Sequence, residues 1–150
     1  MNHLTSEERE ELRALFEARR DETHPERIER SWAYVHAAAD SPYVRIERRR
    51  DNPDATQPEQ YVRLLPDLPG ANTAVYLIYG SARLEVNLPW EHAADYQGRT
   101  GVRFGTKNPN ASGIKRIHLQ LGDTAEARHA AIELTRRALA YETFRALHKS

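Results

Sequence analysis

The chain has 150 residues, no cysteine, and 22 basic side chains against 22 acidic ones. That length buries a core without covalent staples, and the lack of cysteine excludes disulfides, thiolate zinc sites and Cys nucleophiles. A net charge of zero argues against indiscriminate binding of nucleic acid. No apolar run reaches the roughly 20 residues that a membrane span needs, and the acidic start is unlike a signal peptide, so a cytoplasmic protein is expected.

In chain order, Thr5-Ser6-Glu7-Glu8 fits a capping box, and Leu12, Leu15 and Phe16 form an apolar stripe that predicts a helix over 6–20. Residues 21–24 are a break. Pro25 suits the first position of a second helix. There Ile28, Trp32, Val35 and Ala39 recur at helical spacing, until Asp40-Ser41-Pro42 stops it. The period then changes to two. Residues 43–49 alternate, with Val44 and Ile46 on one face and Arg45, Glu47 and Arg49 on the other. Residues 51–59 carry two prolines and read as a loop. A short strand over 61–65 leads into the turn Pro66-Asp67-Leu68-Pro69-Gly70.

The strongest local signal is a hairpin. Residues 73–79 are rich in β-formers, Gly80-Ser81 supports a type II′ turn, and residues 82–88 alternate strictly. That register pairs Tyr79 with Ala82, Leu77 with Leu84 and Val75 with Val86 on the core face. It sets Tyr76 opposite Glu85, Ile78 opposite Arg83 and Ala74 opposite Asn87 on the other face. Residues 90–96 read as a short helix, and 100–104 and 114–121 as strands joined by a loop over 105–113. Asp123 caps a last helix, with Glu126 three residues on. Ala127, Ala131, Leu134, Ala138 and Tyr141 line one face of it.

The expected architecture is therefore a single α+β domain over 1–150. It has two N-terminal helices, five to six mostly antiparallel strands, and one C-terminal helix packed on the sheet.

The charge is unevenly spread. Residues 1–41 hold six basic and ten acidic side chains, whereas 96–122 hold five basic and none acidic. The second stretch contains Arg99, Arg103, Lys107, Lys115 and Arg116, with His118, among Gly98, Gly101, Gly105 and Gly113. Phosphate binding needs cations and backbone amides that approach closely, which glycine permits. Two strands so joined make a basic ribbon able to track a nucleic-acid backbone. The alternative is a solvated hairpin whose charges keep a sheet edge from pairing. Arg48, Arg49 and Arg50 form a second basic cluster. Strand alternation points Arg49 away from the other two.

Other chemistry finds less support. Asp67, followed by Glu85-Val86-Asn87, resembles the nuclease pattern of Asp then Glu-x-Lys, in which two carboxylates hold a metal. Asn87 stands where the lysine is needed, and Asp67 lies in a turn that favours Asp for local reasons. Glu85 is expected to partner Tyr76 or a neighbouring arginine. His92 with Asp95, and His36 with Asp40, lack a third ligand at motif spacing. His118 shares a strand face with Arg116 and Gln120, and the sequence offers it no carboxylate. No Gly-x-Ser-x-Gly, phosphate loop or dinucleotide fingerprint is present.

The expectation is a non-enzymatic accessory module that binds an anionic partner, nucleic acid or another polyanion, with no cofactor and no metal. One alternative is a protein-interaction or regulatory module, or a homodimer, that uses the acidic helices or the sheet face. Another is an enzyme whose polar site on the sheet face combines Tyr76, Arg83, Glu85, Asn87, Arg116 and His118.

Overall fold

A computed structural model describes residues 4–40, 43–48, 61–99, 101–104 and 116–148. Helix α1 (Ser6–Glu17) starts at the expected capping box. The Glu8 amide donates to Thr5 Oγ1 and the Thr5 amide donates to Glu8 Oε1, both at 3.1 Å. Helix α2 (Glu26–Ala38) follows Pro25, which stands one place before the helix with φ −64° rather than as its first residue. Helix α3 (Ala125–Leu147) is capped by Thr124, whose Oγ1 accepts from the Ala127 amide at 3.1 Å. Asp123 is therefore not the cap. Its exposed carboxylate lies 3.4 Å from Arg30 of α2 instead.

Six strands form one antiparallel sheet: β1 (Val44–Arg48), β2 (Val62–Pro66), β3 (Val75–Ile78), β4 (Arg83–Asn87), β5 (Val102–Phe104) and β6 (Arg116–Gln120), in the order β1-β2-β3-β4-β6-β5. Neighbours in sequence pair antiparallel except β4 and β5, between which β6 inserts. The expected loops over 51–59 and 105–113 lie outside the described residues. Residues 90–96 form a 3₁₀ segment, Trp90–Tyr96.

Period-two alternation gives the sheet two faces. Val62, Leu64, Val75, Leu77, Leu84, Val86, Ile117 and Leu119 are all fully buried on one face. Helix α3 packs over β2, β3 and β4 there, and α2 packs against α3 and against the end of the β3–β4 hairpin. Ala130, Ala131 and Ala138 of α3 are buried, and such small residues let the helix lie close to the sheet.

The β3–β4 hairpin keeps the register read from its alternation: Val75↔Val86, Tyr76↔Glu85, Leu77↔Leu84 and Ile78↔Arg83. Its turn differs. Tyr79–Ser81 form a 3₁₀ turn, the Ala82 amide donates to the Tyr79 carbonyl at 3.3 Å, and the positive φ of 52° falls on Ala82 rather than on Gly80. The helical layer accounts for the change. Tyr79 stacks on Phe16 of α1, with centroids 4.5 Å apart and planes 13° apart, and Ser31 Oγ of α2 donates to the Tyr79 carbonyl at 2.8 Å. Those contacts draw Tyr79 out of the ladder into a longer turn. Either turn closes Ile78 on Arg83, so every other pairing survives.

Candidate functional site

The second face of the sheet is where the charges gather. One row of residues runs across all six strands: Glu47, Arg63, Tyr76, Glu85, His118 and Arg103, each the register partner of the next. Alternation along the same strands adds Arg45, Arg83 and Arg116, which among the described residues puts five arginines against two glutamates on this face. Arg103 and Arg116 are exposed, and Tyr76, Glu85 and His118 are half-buried.

Glu85 is the focus of this face. Arg116 Nη1 donates to its Oε2 at 3.0 Å, Arg83 Nη2 lies 3.6 Å from Oε1, and His118 Nδ1 lies 3.8 Å from Oε1. The Arg116 guanidinium also sits 4.7 Å over the Tyr76 ring, which Tyr61 meets edge-on at 5.3 Å. Towards β1, Arg63 donates to Glu47 at 2.7 Å, and Arg45 lies 3.1 Å from the same carboxylate. Arg103, the direct partner of His118, has no carboxylate partner among the described residues. Burial pushes the His118 pKa below its ordinary value. The charges of Arg83, Arg103 and Arg116 add to that shift, and Glu85 opposes it.

The residues expected to form the basic surface separate. Arg103 and Arg116 share this face. Arg48 does not: its place in the alternation turns it to the helical side at the opposite edge of the sheet, 3.6 Å from Glu11 of α1. Arg99 lies beyond the 3₁₀ segment, over the Tyr96 ring at 4.9 Å. Arg137 also lies over that ring, at 5.0 Å, and pairs with Asp95 at 2.7 and 2.9 Å. Lys107, Lys115, Arg49 and Arg50 lie outside the described residues. Arg45 and Arg63 join the face without having been singled out from the sequence. Their alternation within two strands was readable, but the strand order that sets Arg63 beside Tyr76 was not.

Glu85 stands opposite Tyr76 and beside arginines, as its strand position implies. His118, for which the sequence shows no carboxylate, receives one across the β4–β6 ladder. Asn87 Nδ2 donates to the Thr73 carbonyl at 2.9 Å, a role within the strand ends. The Asp67 amide donates to the Tyr43 carbonyl at 2.8 Å, and its carboxylate lies 4.0 Å from Arg45. Among the described residues no group of three His, Asp or Glu side chains is placed to hold a metal. Asp95 is occupied by Arg137, and His36 packs edge-on against Trp32 at 5.0 Å. Within the same residues no helix is long and apolar enough to cross a membrane.

The acidic helices are less available than their composition suggests. Glu17 pairs with Arg20 at 2.6 Å and with Arg13 at 2.7 Å, and Glu29 accepts from the same two arginines. The hydrogen bond from Arg20 is the main cause holding the Glu17 carboxyl down at about 2. Compared with family models, curated proteins and solved structures, the chain matches none.

Proposed function

We propose that this protein binds nucleic acid through the polar face of its sheet. The observation that carries the reading is the gathering of Arg63, Arg83, Arg103 and Arg116 on the sheet face that also presents Tyr76. Arginines supply contacts to phosphate, and an aromatic ring with a guanidinium beside it offers a surface on which a base stacks. A sheet face suits an unpaired strand, whose bases are free to turn towards it. The pairing of Glu17 and Glu29 within the helical layer favours this face over the acidic helices as the place where a partner binds. A cytoplasmic location belongs to the same reading.

The test is a titration of labelled single- and double-stranded oligonucleotides at several salt concentrations. Binding weakens as salt rises, with a logarithmic slope of about −0.7 per phosphate contact for single strands. Changing Arg103 and Arg116 together to Ala makes that slope shallower by about 1.4, corresponding to two contacts. No binding of either oligonucleotide above background at low salt rejects the proposal.

A further inference from the structure

We infer that the same face cleaves single-stranded RNA without a metal ion, with Glu85 and His118 as its base and acid; the inference rests on the nucleic-acid reading above. The geometry points there because a carboxylate and an imidazole lie 3.8 Å apart, with the Arg83 and Arg116 guanidinium groups at the carboxylate and Arg103 the register partner of the imidazole. Simple ion pairing does not account for that set. One arginine, Arg116, already satisfies Glu85 with a 3.0 Å hydrogen bond. Arg83 and Arg103 bring two further positive charges to the same place, and like charges gathered on one sheet face repel. An anion lying against the face relieves the repulsion. A phosphodiester that gains negative charge as it reacts relieves it most at the transition state.

The chemistry balances with these groups alone. The Glu85 carboxylate takes the proton of the ribose 2′-hydroxyl. The 2′-oxygen forms a bond to the adjacent phosphorus, and the bond from phosphorus to the 5′-oxygen of the next nucleotide breaks. The leaving oxygen receives a proton from the His118 imidazolium. The products are a strand ending in a 2′,3′-cyclic phosphate and a strand beginning with a 5′-hydroxyl. Glu85 then returns its proton to solvent and His118 takes one up. No electron is transferred and no metal is needed. DNA lacks the nucleophile, so it binds and stays intact.

A labelled single-stranded RNA is incubated in EDTA with the wild-type protein, Glu85→Gln, His118→Asn and Arg103→Ala, beside the DNA oligonucleotide of the same sequence. The expected result is cleavage of RNA alone, with cyclic-phosphate ends seen by mass spectrometry. Glu85→Gln and His118→Asn are expected to lower the rate by about 100-fold or more, and Arg103→Ala by about 100-fold. Circular dichroism melting of each variant separates lost chemistry from lost folding, and Arg103, exposed at the sheet edge, is the variant least able to disturb the fold. The wild-type rate rises as pH falls from 8 towards 6, because His118 must carry a proton while facing Glu85, Arg83, Arg103 and Arg116. Intact RNA together with bound DNA overturns this inference and leaves the binding proposal standing. Intact RNA and no binding overturn both. Cleavage that persists unchanged in folded Glu85→Gln and His118→Asn also overturns it.

Discussion

Leu84 and Glu85 are neighbours on β4 and live under opposite rules. Leu84 is fully buried between Leu77 and Leu119, on the face that α3 covers. Glu85 stands between Tyr76 and His118 among arginines. Leu64 beside Arg63 on β2 and Ile117 beside Arg116 on β6 repeat this contrast. What it teaches is a division of labour: the apolar face supplies the free energy of folding, so the polar face can hold a surplus of like charge that a folded chain does not itself need.

The largest effect that tests this division is expected at Leu84. Leu84→Ala is expected to cost about 2–5 kcal/mol in urea denaturation, whereas Arg103→Ala changes stability by less than about 0.5 kcal/mol. Comparable losses for the two variants break the contrast. Next comes the contact between the helical layer and the hairpin. Ser31→Ala removes the hydroxyl donor to the buried Tyr79 carbonyl, which keeps only the Ala82 amide, and is expected to cost about 0.5–1.5 kcal/mol. An unchanged melting curve shows that the turn does not depend on α2.

Gly80→Ala sharpens the same point with the opposite sign. Gly80 has no positive φ, and an added Cβ meets Arg19 at ordinary contact distances, its Cβ at 3.5 Å and its carbonyl oxygen at 3.8 Å. The variant is expected to be stabilised by about 0.4–1 kcal/mol through the unfolded chain. A loss of stability restores the type II′ turn with Gly80 in the left-handed region. The smallest effect belongs to the rim of the helical layer. The folded pKa of Glu17, about 2, lies below the ordinary carboxylate value of 4.5, so its contribution is present above about 4.5 and is lost as pH falls towards 2. Glu17→Gln is therefore less stable than wild type at pH 6, and the gap between their urea midpoints narrows by pH 2.5. A gap that is constant with pH contradicts the ion-pair account.

Legibility in the sequence followed the range of the interaction. The start of α1 and the β3–β4 register were readable because capping and alternation act within a few residues. The cap of α3 was misassigned by one position, since Asp123 and Thr124 both satisfy the local rule and the nearness of Arg30 is a tertiary fact. The turn type was misassigned because Phe16 and Ser31 act on Tyr79 from distant segments. Within the candidate site, Arg103, Arg116, Tyr76, Glu85 and His118 each stood out or could be placed on a strand face. Tyr76 opposite Glu85 was readable from the hairpin, and a shared polar face with Arg83, Arg116 and His118 was one alternative. That His118 lies directly beside Glu85, with Arg103 beyond it, was not readable, because it depends on β6 pairing with β4 although β5 intervenes in sequence. Arg48 and Arg99 show the same limit in reverse: a cation count along the chain does not say which surface each one reaches.

The insertion of β6 between β4 and β5 also bears on how the molecule forms. Hairpins closed by short turns assemble early, because little loop entropy opposes them. β4 must instead wait for a strand that follows a long connection, and chains fold from the N-terminal end as they are synthesised. A chain that has emerged only through β4 carries both strands of the Leu77–Leu84 pair, but Glu85 still lacks His118 and Arg116, and Leu84 still lacks Leu119. Interior and charged surface are therefore finished by the same late event: β6 carries Ile117 and Leu119 to one face as it carries Arg116 and His118 to the other, and α3 closes over the apolar side after it.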